Sequence, residues 1–304
     1  MRLLLSGAEG FLGSALCEKL APRFEILALS RRALSRPHIR WNPDSDSPLD
    51  LAPFAGVTHV IHLAGKSIAG RWTKARMKAI RESRVGPTLR LSEALAKLSP
   101  KPRVMICPSG ANYYGDRGDE PLDEISESGP GFLAEVCREW EAATGPAAAS
   151  GIRVCNLRLG VVLDPAGGAL AAMLPVFRMG LGGPLGPGTQ YFPWIARRDV
   201  VRAIQFLLER EDLSGPFNFV APQEATNAEF TRALGAALRR PVFFRVPAWA
   251  LRLAVGKLAD EALLAGVRLQ PRRLLEAGFK FEDPELAYAL IRMLRPPEQV
   301  KSRT

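Results

Sequence analysis

Histidine is nearly missing from this 304-residue chain, which has only His38, His59 and His62. Cysteine is scarce as well: Cys17, Cys107, Cys137 and Cys155 lie far apart and form no Cys-x-x-Cys or Cys/His cluster. These shortages argue against a zinc site or any other metal centre and against a disulfide framework; four isolated thiols fit a reduced, cytoplasmic protein. No apolar run approaches the ~18 residues of a membrane-spanning helix. Met1-Arg2 leads straight into a strand pattern, without the long apolar region and small-residue cleavage site of a signal peptide. Acidic residues are outnumbered, 31 against 41 Lys+Arg, for a net charge of +10. The basic residues are scattered through predicted helices and no aromatics interleave with them, so the expectation is no nucleic acid and no membrane partner. A solvated basic surface, or a pocket for a phosphorylated ligand, accounts for the charge.

What is present is ordinary for a large globular core: 47% hydrophobic and 24% charged residues,. Up to about Gly160 the chain alternates strand-like and helix-like segments. "RLLLS" precedes a helix from about Phe11 to Leu20, and the strand "FEILALS" follows. "THVIHLAG" precedes a long helix over Lys74 to Leu98. "RVMICPSG" precedes a helix from about Phe132 to Ala149 and then "IRVCNLRLG". Such alternation implies βαβ units around a buried parallel sheet. The stretch Arg178 to Trp194 is too rich in glycine and proline for a helix or central strand, and a loop this long is commonly functional. A helix from about Asp199 to Glu209, the short strand "FNFV" and a helix-rich tail follow. In the tail Thr226 or Asn227 can cap a helix with Glu229 in its first turn. The tail has apolar faces of its own and reads as a smaller second lobe, and the last residues, "PPEQVKSRT", read as frayed.

Gly7, Gly10 and Gly13, in "LSGAEGFLGSAL", stand between a strand and a helix at the start of a βαβ unit. That is the context in which glycines make a tight turn, let a diphosphate approach the backbone and allow close helix packing. A plain tight turn is the bland alternative. At the end of the second strand, where an acidic residue would bind a ribose 2′-hydroxyl and mark NAD, the chain reads Ser30, Arg31, Arg32. Adjacent guanidinium groups there suit a 2′-phosphate, so NADP(H) is the expected cofactor.

With "HLAG" (His62 to Gly65), "SGANYYG" (Ser109 to Gly115) and "FPWIARRD" (Phe192 to Asp199), the chain resembles the extended short-chain dehydrogenase/reductase superfamily. More narrowly it is similar to the atypical "epimerase family" branch with a distinctive C-terminal extension. That match rests on "FLAEVCREWEAA", "LRLGVVLDPAGGAL", "GLGGPLGPGTQYFPWI" and "NFVAPQEATNAEFTRAL". The resemblance implies a Rossmann-type doubly wound parallel α/β sheet over residues 1–220 with a small helix-rich C-terminal lobe over 221–304. It implies NADP(H) at Gly7, Gly10, Phe11, Leu12 and Gly13, at Ser30, Arg31 and Arg32, and along Leu63, Ala64 and Gly65. Homodimers are a family-level expectation. Ser83 to Thr88 falls near the cofactor in extended members, but its Ser83 and Pro87 depart from their pattern, and no role is assigned to it.

Mainstream members carry a Tyr-x-x-x-Lys pair on the helix after the serine strand, in which the tyrosine is the general acid/base and the lysine lowers its pKa and holds the nicotinamide ribose. Here Leu133 and Cys137 stand at those positions, and a shift of one gives Phe132 and Val136. None of these can hold a catalytic proton beside a cation. The mainstream serine position is Gly110, one after Ser109. The catalytic candidates are therefore Ser109, Tyr113 and Tyr114. Lys66, Asn112, Gln190, Trp194 (with Phe192) and Arg197 (with Arg198) are candidates for the substrate side. His62 reads as a core histidine, and Ala196 replaces a histidine usual in the branch. The expected function is an NADP(H)-binding oxidoreductase or epimerase acting on a small polar substrate, anionic or sugar-like. The alternative is a catalytically silent NADP(H)-binding sensor or scaffold.

Overall fold

Leu3, Leu4 and Leu5 are consecutive and fully buried, and they join two different cores. Successive strand residues point to opposite faces, so an unbroken apolar run requires cover on both sides of a sheet. The computed structural model, which describes residues 1–43, 45 and 49–295, supplies that cover. In chain order the elements begin β1 (Arg2–Ser6), α1 (Phe11–Leu20), β2 (Glu25–Ser30), β3 (His38–Arg40) and β4 (Val57–His62). Next come α2 (Lys74–Glu82), α3 (Val85–Ala96), β5 (Val104–Gly110), β6 (Pro121–Leu122), α4 (Phe132–Ala142) and α5 (Gly145–Ala149). Then follow β7 (Arg153–Leu159), β8 (Val161–Asp164), α6 (Gly168–Arg178), β9 (Trp194–Ala196), α7 (Arg197–Glu209) and β10 (Gly215–Phe219). The chain closes with α8 (Asn227–Leu238), α9 (Ala248–Val255), β11 (Arg268–Leu269), α10 (Arg272–Glu276) and α11 (Leu286–Leu294).

Seven strands make one parallel sheet in the order β10-β7-β5-β4-β1-β2-β3. On one face Leu16, Leu20, Ile204 and Leu207, from α1 and α7, pack on Leu3, Leu5, Ile61 and Ile106. On the other, Leu91, Leu95, Trp140 and Ala147 pack on Leu4, Val60 and Met105. This is the buried parallel sheet that the alternation implied, in the Rossmann-type doubly wound α/β form that the resemblance implied. Chain order reverses at β1, which lies between β2 and β4, and ligands of such sheets bind outside the carboxyl ends of the strands at that point.

Two helices expected to be continuous are each divided, for one reason. Pro87 in a continuous helix would lack an N–H and press its ring on the carbonyl of Ser83, and Pro146 would do the same to Ala142. The chain stops at those residues and restarts with each proline in the first turn of α3 and α5. Arg178 to Pro193 leaves α6 without regular structure, as its composition implied; a Cβ at Gly183 would overlap the Phe244 carbonyl. α8 starts with a reciprocal capping box between Thr226 and Glu229. The helix-rich lobe is not built from the tail alone. Leu163, Leu170, Phe177 and Trp194, from before residue 220, share a core with Phe230, Leu234, Leu286 and Leu290. All four cysteines are buried and unbridged. Among the described residues no helix is long and apolar enough to cross a membrane. The segment 296–304, expected to be frayed, lies outside the described residues.

His62 is a core histidine with a definite task. It is the register partner of Ser6, its Nδ1 lies 2.8 Å from Ser6 Oγ, and that oxygen accepts the N–H of Ala64 at 3.0 Å. The backbone after β4 is thereby tied to the end of β1. Burial pushes the His62 pKa down to about 4 from an ordinary 6.5, and His59 falls to about 4 chiefly by burial. The unfolded chain therefore takes up protons before the folded one does, so the stability contributed by neutral His62 is present above about pH 6.5 and is lost as pH falls towards 4. Chemical denaturation followed from about pH 7 down to 4 should show a loss on the order of 3 kcal/mol from His62. His62→Asn should flatten the profile over that window; an unchanged slope would refute the assignment.

Candidate functional site

The glycine turn is held by close contacts that exclude side chains. Gly7 has φ +72°, and the N–H of Gly10 donates to its carbonyl at 2.9 Å. A Cβ on Gly13 would overlap the Gly7 carbonyl oxygen and lie 2.8 Å from its carbon. A Cβ on Gly7 would stand 3.2 Å from the Leu63 carbonyl. The first turn of α1 has neither a side-chain cap nor an acidic residue, so its amide donors stay available at the positive end of the helix,.

A cavity of about 450 Å³ opens at this turn. Gly7 to Gly10 form one wall, Leu29 to Arg32 a second, and Leu63 to Lys66 a third. Gly7, Gly10, Ser30, Arg31, Arg32, Leu63, Ala64 and Gly65 thus share one cavity, whereas Phe11, Leu12 and Gly13 stand behind it in α1. Lys66, expected on the substrate side, lines the same cavity. Leu34, Trp41, Pro43 and Ser83 complete the lining; the first three were missed by sequence reasoning, and Ser83 belongs to the segment that was assigned no role. Trp41 is buried in the core beside Leu29, and a lone tryptophan after a short strand was the only signal for it.

The end of β5 is dominated by a buried cation that the sequence reading did not single out. Arg158 on β7 is the register partner of Ser109. Its Nε and Nη2 donate to the two carboxylate oxygens of Glu141 on α4, at 2.9 and 3.0 Å. Nη1 donates to Tyr114 Oη at 2.8 Å, and the guanidinium lies 3.5 Å over the Tyr113 ring. Tyr114 Oη donates in turn to Asn218 Oδ1 at 2.7 Å. Tyr114 is wholly buried, and desolvation pushes its pKa above the ordinary phenol value despite the neighbouring Arg158. Both hydrogen-bonding roles of its hydroxyl are taken, so this candidate acid is a structural bridge. Tyr113 is only half-buried, and its hydroxyl has no hydrogen-bond partner among the described residues. Ser109 is buried with an Oγ that makes no hydrogen bond. Cys137 stands near it, its thiol pushed up to about 11 by burial. Leu133 and Cys137 both point into the protein interior.

The remaining substrate-side candidates do not converge. Asn112 Nδ2 donates to the Glu261 carbonyl at 3.0 Å, and Gln190 Nε2 donates to the carbonyls of Leu185 and Leu263. Trp194 is fully buried with Nε1 on the Gln223 carbonyl, and Phe192 packs on Phe230. These four brace the second lobe. Arg197 lies over the Phe11 ring at 4.7 Å and donates to Ser14 Oγ at 3.0 Å, so it buttresses α1. Arg198 pairs with Glu282 at 2.7 Å instead of turning inward. Glu261, absent from the candidates, accepts the N–H groups of Phe132 and Leu133 at 3.1 Å each and caps α4.

Comparison with known proteins places this geometry. The profile of the NAD dependent epimerase/dehydratase family matches residues 3–219, and a domain of unknown function, DUF1731, matches 246–292. "Epimerase family protein Mb2239" of Mycobacterium bovis is 43% identical over 289 residues, covering 94% of this chain and 95% of that protein. The crystal structure of the human epimerase family protein SDR39U1 with NADPH superposes with a TM-score of 0.89 at 35% identity, covering 97% and 100% of the two chains. A nucleoside-diphosphate sugar epimerase from Corynebacterium glutamicum superposes with a TM-score of 0.80 at 33% identity, covering 97% of this chain and 58% of that one.

The two tyrosines should separate on mutation. Tyr114→Phe strands a buried guanidinium donor and a buried amide, and should cost on the order of 2 kcal/mol in urea denaturation. Tyr113→Phe retains the stacked ring and should stay within about 0.5 kcal/mol of the parent. Equal losses would contradict the division of roles.

Proposed function

The chain belongs to the NAD-dependent epimerase/dehydratase family of extended short-chain dehydrogenase/reductases, and from that premise we propose that it binds NADP(H) and acts as an oxidoreductase or epimerase. The substrate is a small polar molecule, anionic or sugar-like. The observation that carries this reading is the glycine turn, in which Gly13 has no room for a Cβ and the cavity beside it runs to Arg31 and Arg32. A diphosphate fits such a turn because amide donors and the helix dipole meet it without an intervening side chain. Arg31 and Arg32 at the end of β2 offer planar donors for a 2′-phosphate. The relative of known structure with 35% identity holds NADPH, which supports the same choice.

The nicotinamide, when bound, gives or takes a hydride. The chain's own part is to bind, to orient and to move a proton. Gly7, Gly10 and the first turn of α1 hold the diphosphate, and the Ser6–His62–Ala64 linkage sets the wall opposite it. At the end of β5, Tyr113 is the phenol that still has a hydroxyl to offer as a proton donor, while the Oγ of Ser109 is buried without a hydrogen-bond partner,. Lys66 adds positive charge to the cavity wall that follows β4. One observation favours a second reading, a silent NADP(H)-binding sensor. Leu133 and Cys137 replace the usual acid and cation, and Tyr114 is committed to Arg158 and Asn218.

Titration by calorimetry and nicotinamide fluorescence should give NADPH at least about tenfold tighter binding than NADH, a difference of about 1.4 kcal/mol. Arg31→Ala should erase most of that preference, and Gly13→Val should abolish binding of both nucleotides. Binding of neither nucleotide by the parent protein would defeat the cofactor reading. NADPH oxidation across a panel of carbonyl compounds then separates the two roles. Turnover lost in Tyr113→Phe with NADPH affinity retained supports the enzyme, whereas tight NADPH binding without turnover on any compound supports the sensor.

A further inference from the structure

Arg84 occupies the break between α2 and α3, in the segment Ser83 to Thr88 to which the sequence alone assigned no role. Nη1 donates to the Ile80 carbonyl at 3.0 Å and to Ser83 Oγ at 3.3 Å, and Nη2 donates to the Lys66 carbonyl at 2.8 Å. All three acceptors are neutral. Nearby Arg81 pairs with Glu139 and Arg158 with Glu141, whereas Arg76 and Arg138, like Arg84, donate only to neutral oxygens. Arg84 has no ion-pair partner among the described residues, although burial is enough to lower its pKa. A half-buried cation held only by neutral acceptors calls for a reason,.

Its position offers one. The guanidinium carbon lies 5.1 Å from the Trp140 ring centre on α4. Trp140 is one helical turn after Cys137, and i and i+3 side chains share a helix face. Cys137 is the position where mainstream relatives carry their lysine. Arg84 also packs along Gly65, whose Cβ, if present, would lie 3.7 Å from the guanidinium carbon. Gly65, Lys66 and Ser83 all line the cavity. The cation therefore reaches the neighbourhood of the missing lysine from another helix. Of five guanidinium N–H donors, the three contacts leave Nε–H and one Nη2 hydrogen uncommitted,.

We infer that Arg84 is a cofactor-binding residue that supplies, from the α2–α3 break, the positive charge and donors for the nicotinamide ribose that a lysine on α4 supplies in mainstream members. This rests on the NADP(H) reading above. It explains how Cys137 can be neutral without leaving that half of the cofactor unheld; the break set by Pro87 puts Arg84 at the N-cap of α3, from which its side chain lies across to Trp140.

The test compares two ligands on the full chain. NADPH contains the nicotinamide ribose; adenosine 2′,5′-bisphosphate contains only the adenosine half. Arg84→Met should weaken NADPH by about tenfold or more and reduce nicotinamide fluorescence enhancement, while adenosine 2′,5′-bisphosphate stays within about twofold of the parent. Arg84→Lys, which keeps the charge, should recover part of the NADPH affinity. Unchanged NADPH affinity in Arg84→Met would overturn the assignment, as would equal losses for both ligands, which would make Arg84 a brace for the Lys66 loop. A lysine no better than methionine would overturn it too. Failure of the parent protein to bind NADPH would sink the cofactor reading itself, whereas tight parental binding with an indifferent Arg84→Met sinks this inference alone.

Discussion

Helix α1 can follow β1 at its observed distance only because Gly13 has no side chain to strike the Gly7 carbonyl. Much of the site is stacked on that contact. Gly7, drawn back against the helix, meets the Leu63 backbone, and Leu63 opens the wall of the cavity that faces the turn. Phe11, at the start of the same helix, sits where a side chain on Gly167 would have to be, which seats the β8–α6 corner against it. Arg197 then covers the Phe11 ring from the start of α7. Close packing of backbone on backbone transmits position with little slack. One pair of glycines therefore sets the geometry of the turn, the cavity and a corner of the second lobe.

The edge beyond β5 is governed by a different constraint, the burial of Arg158. A guanidinium out of water needs partners for its donors, and Glu141, Tyr114 and the Glu124 carbonyl take four of the five,. Filling them ties β7 to α4 and removes Tyr114 from chemistry. The α4 position at which mainstream relatives carry a cation is here the neutral Cys137, and Glu141 on the same helix is bound to Arg158. The one arginine of α4, Arg138, donates to Ser128 and the Gly129 carbonyl; Lys66, and Arg84 through its contacts with Gly65 and Lys66, are the cations at the cavity wall that follows β4.

The parts of this molecule visible in the sequence were those set by neighbours along the chain. Strand-turn-helix order, the apolar runs buried on both faces, the glycine turn and the Thr226–Glu229 cap all follow from local rules of period and backbone freedom. Proline at residues 87 and 146 was visible too, and its clash with the carbonyl four residues back was the signal, passed over, that the long helices divide. Asn112, Gln190 and Trp194 looked available because polar and aromatic loop residues often are. Whether a loop amide meets a ligand or a distant carbonyl depends on segments more than 70 residues away, as Gln190 and Leu263 show.

The sequence by itself determined the layered α/β architecture, the place of the turn and the basic pair at the end of β2, because each depends on residue type within a few positions. Only the tertiary structure decided which of two adjacent tyrosines has a hydroxyl to spare, which arginines are neutralised by acids and which are held by neutral oxygens alone. Those outcomes depend on desolvation and on partners brought from remote strands and helices, and neither burial nor a long-range partner is written in the local order of residues.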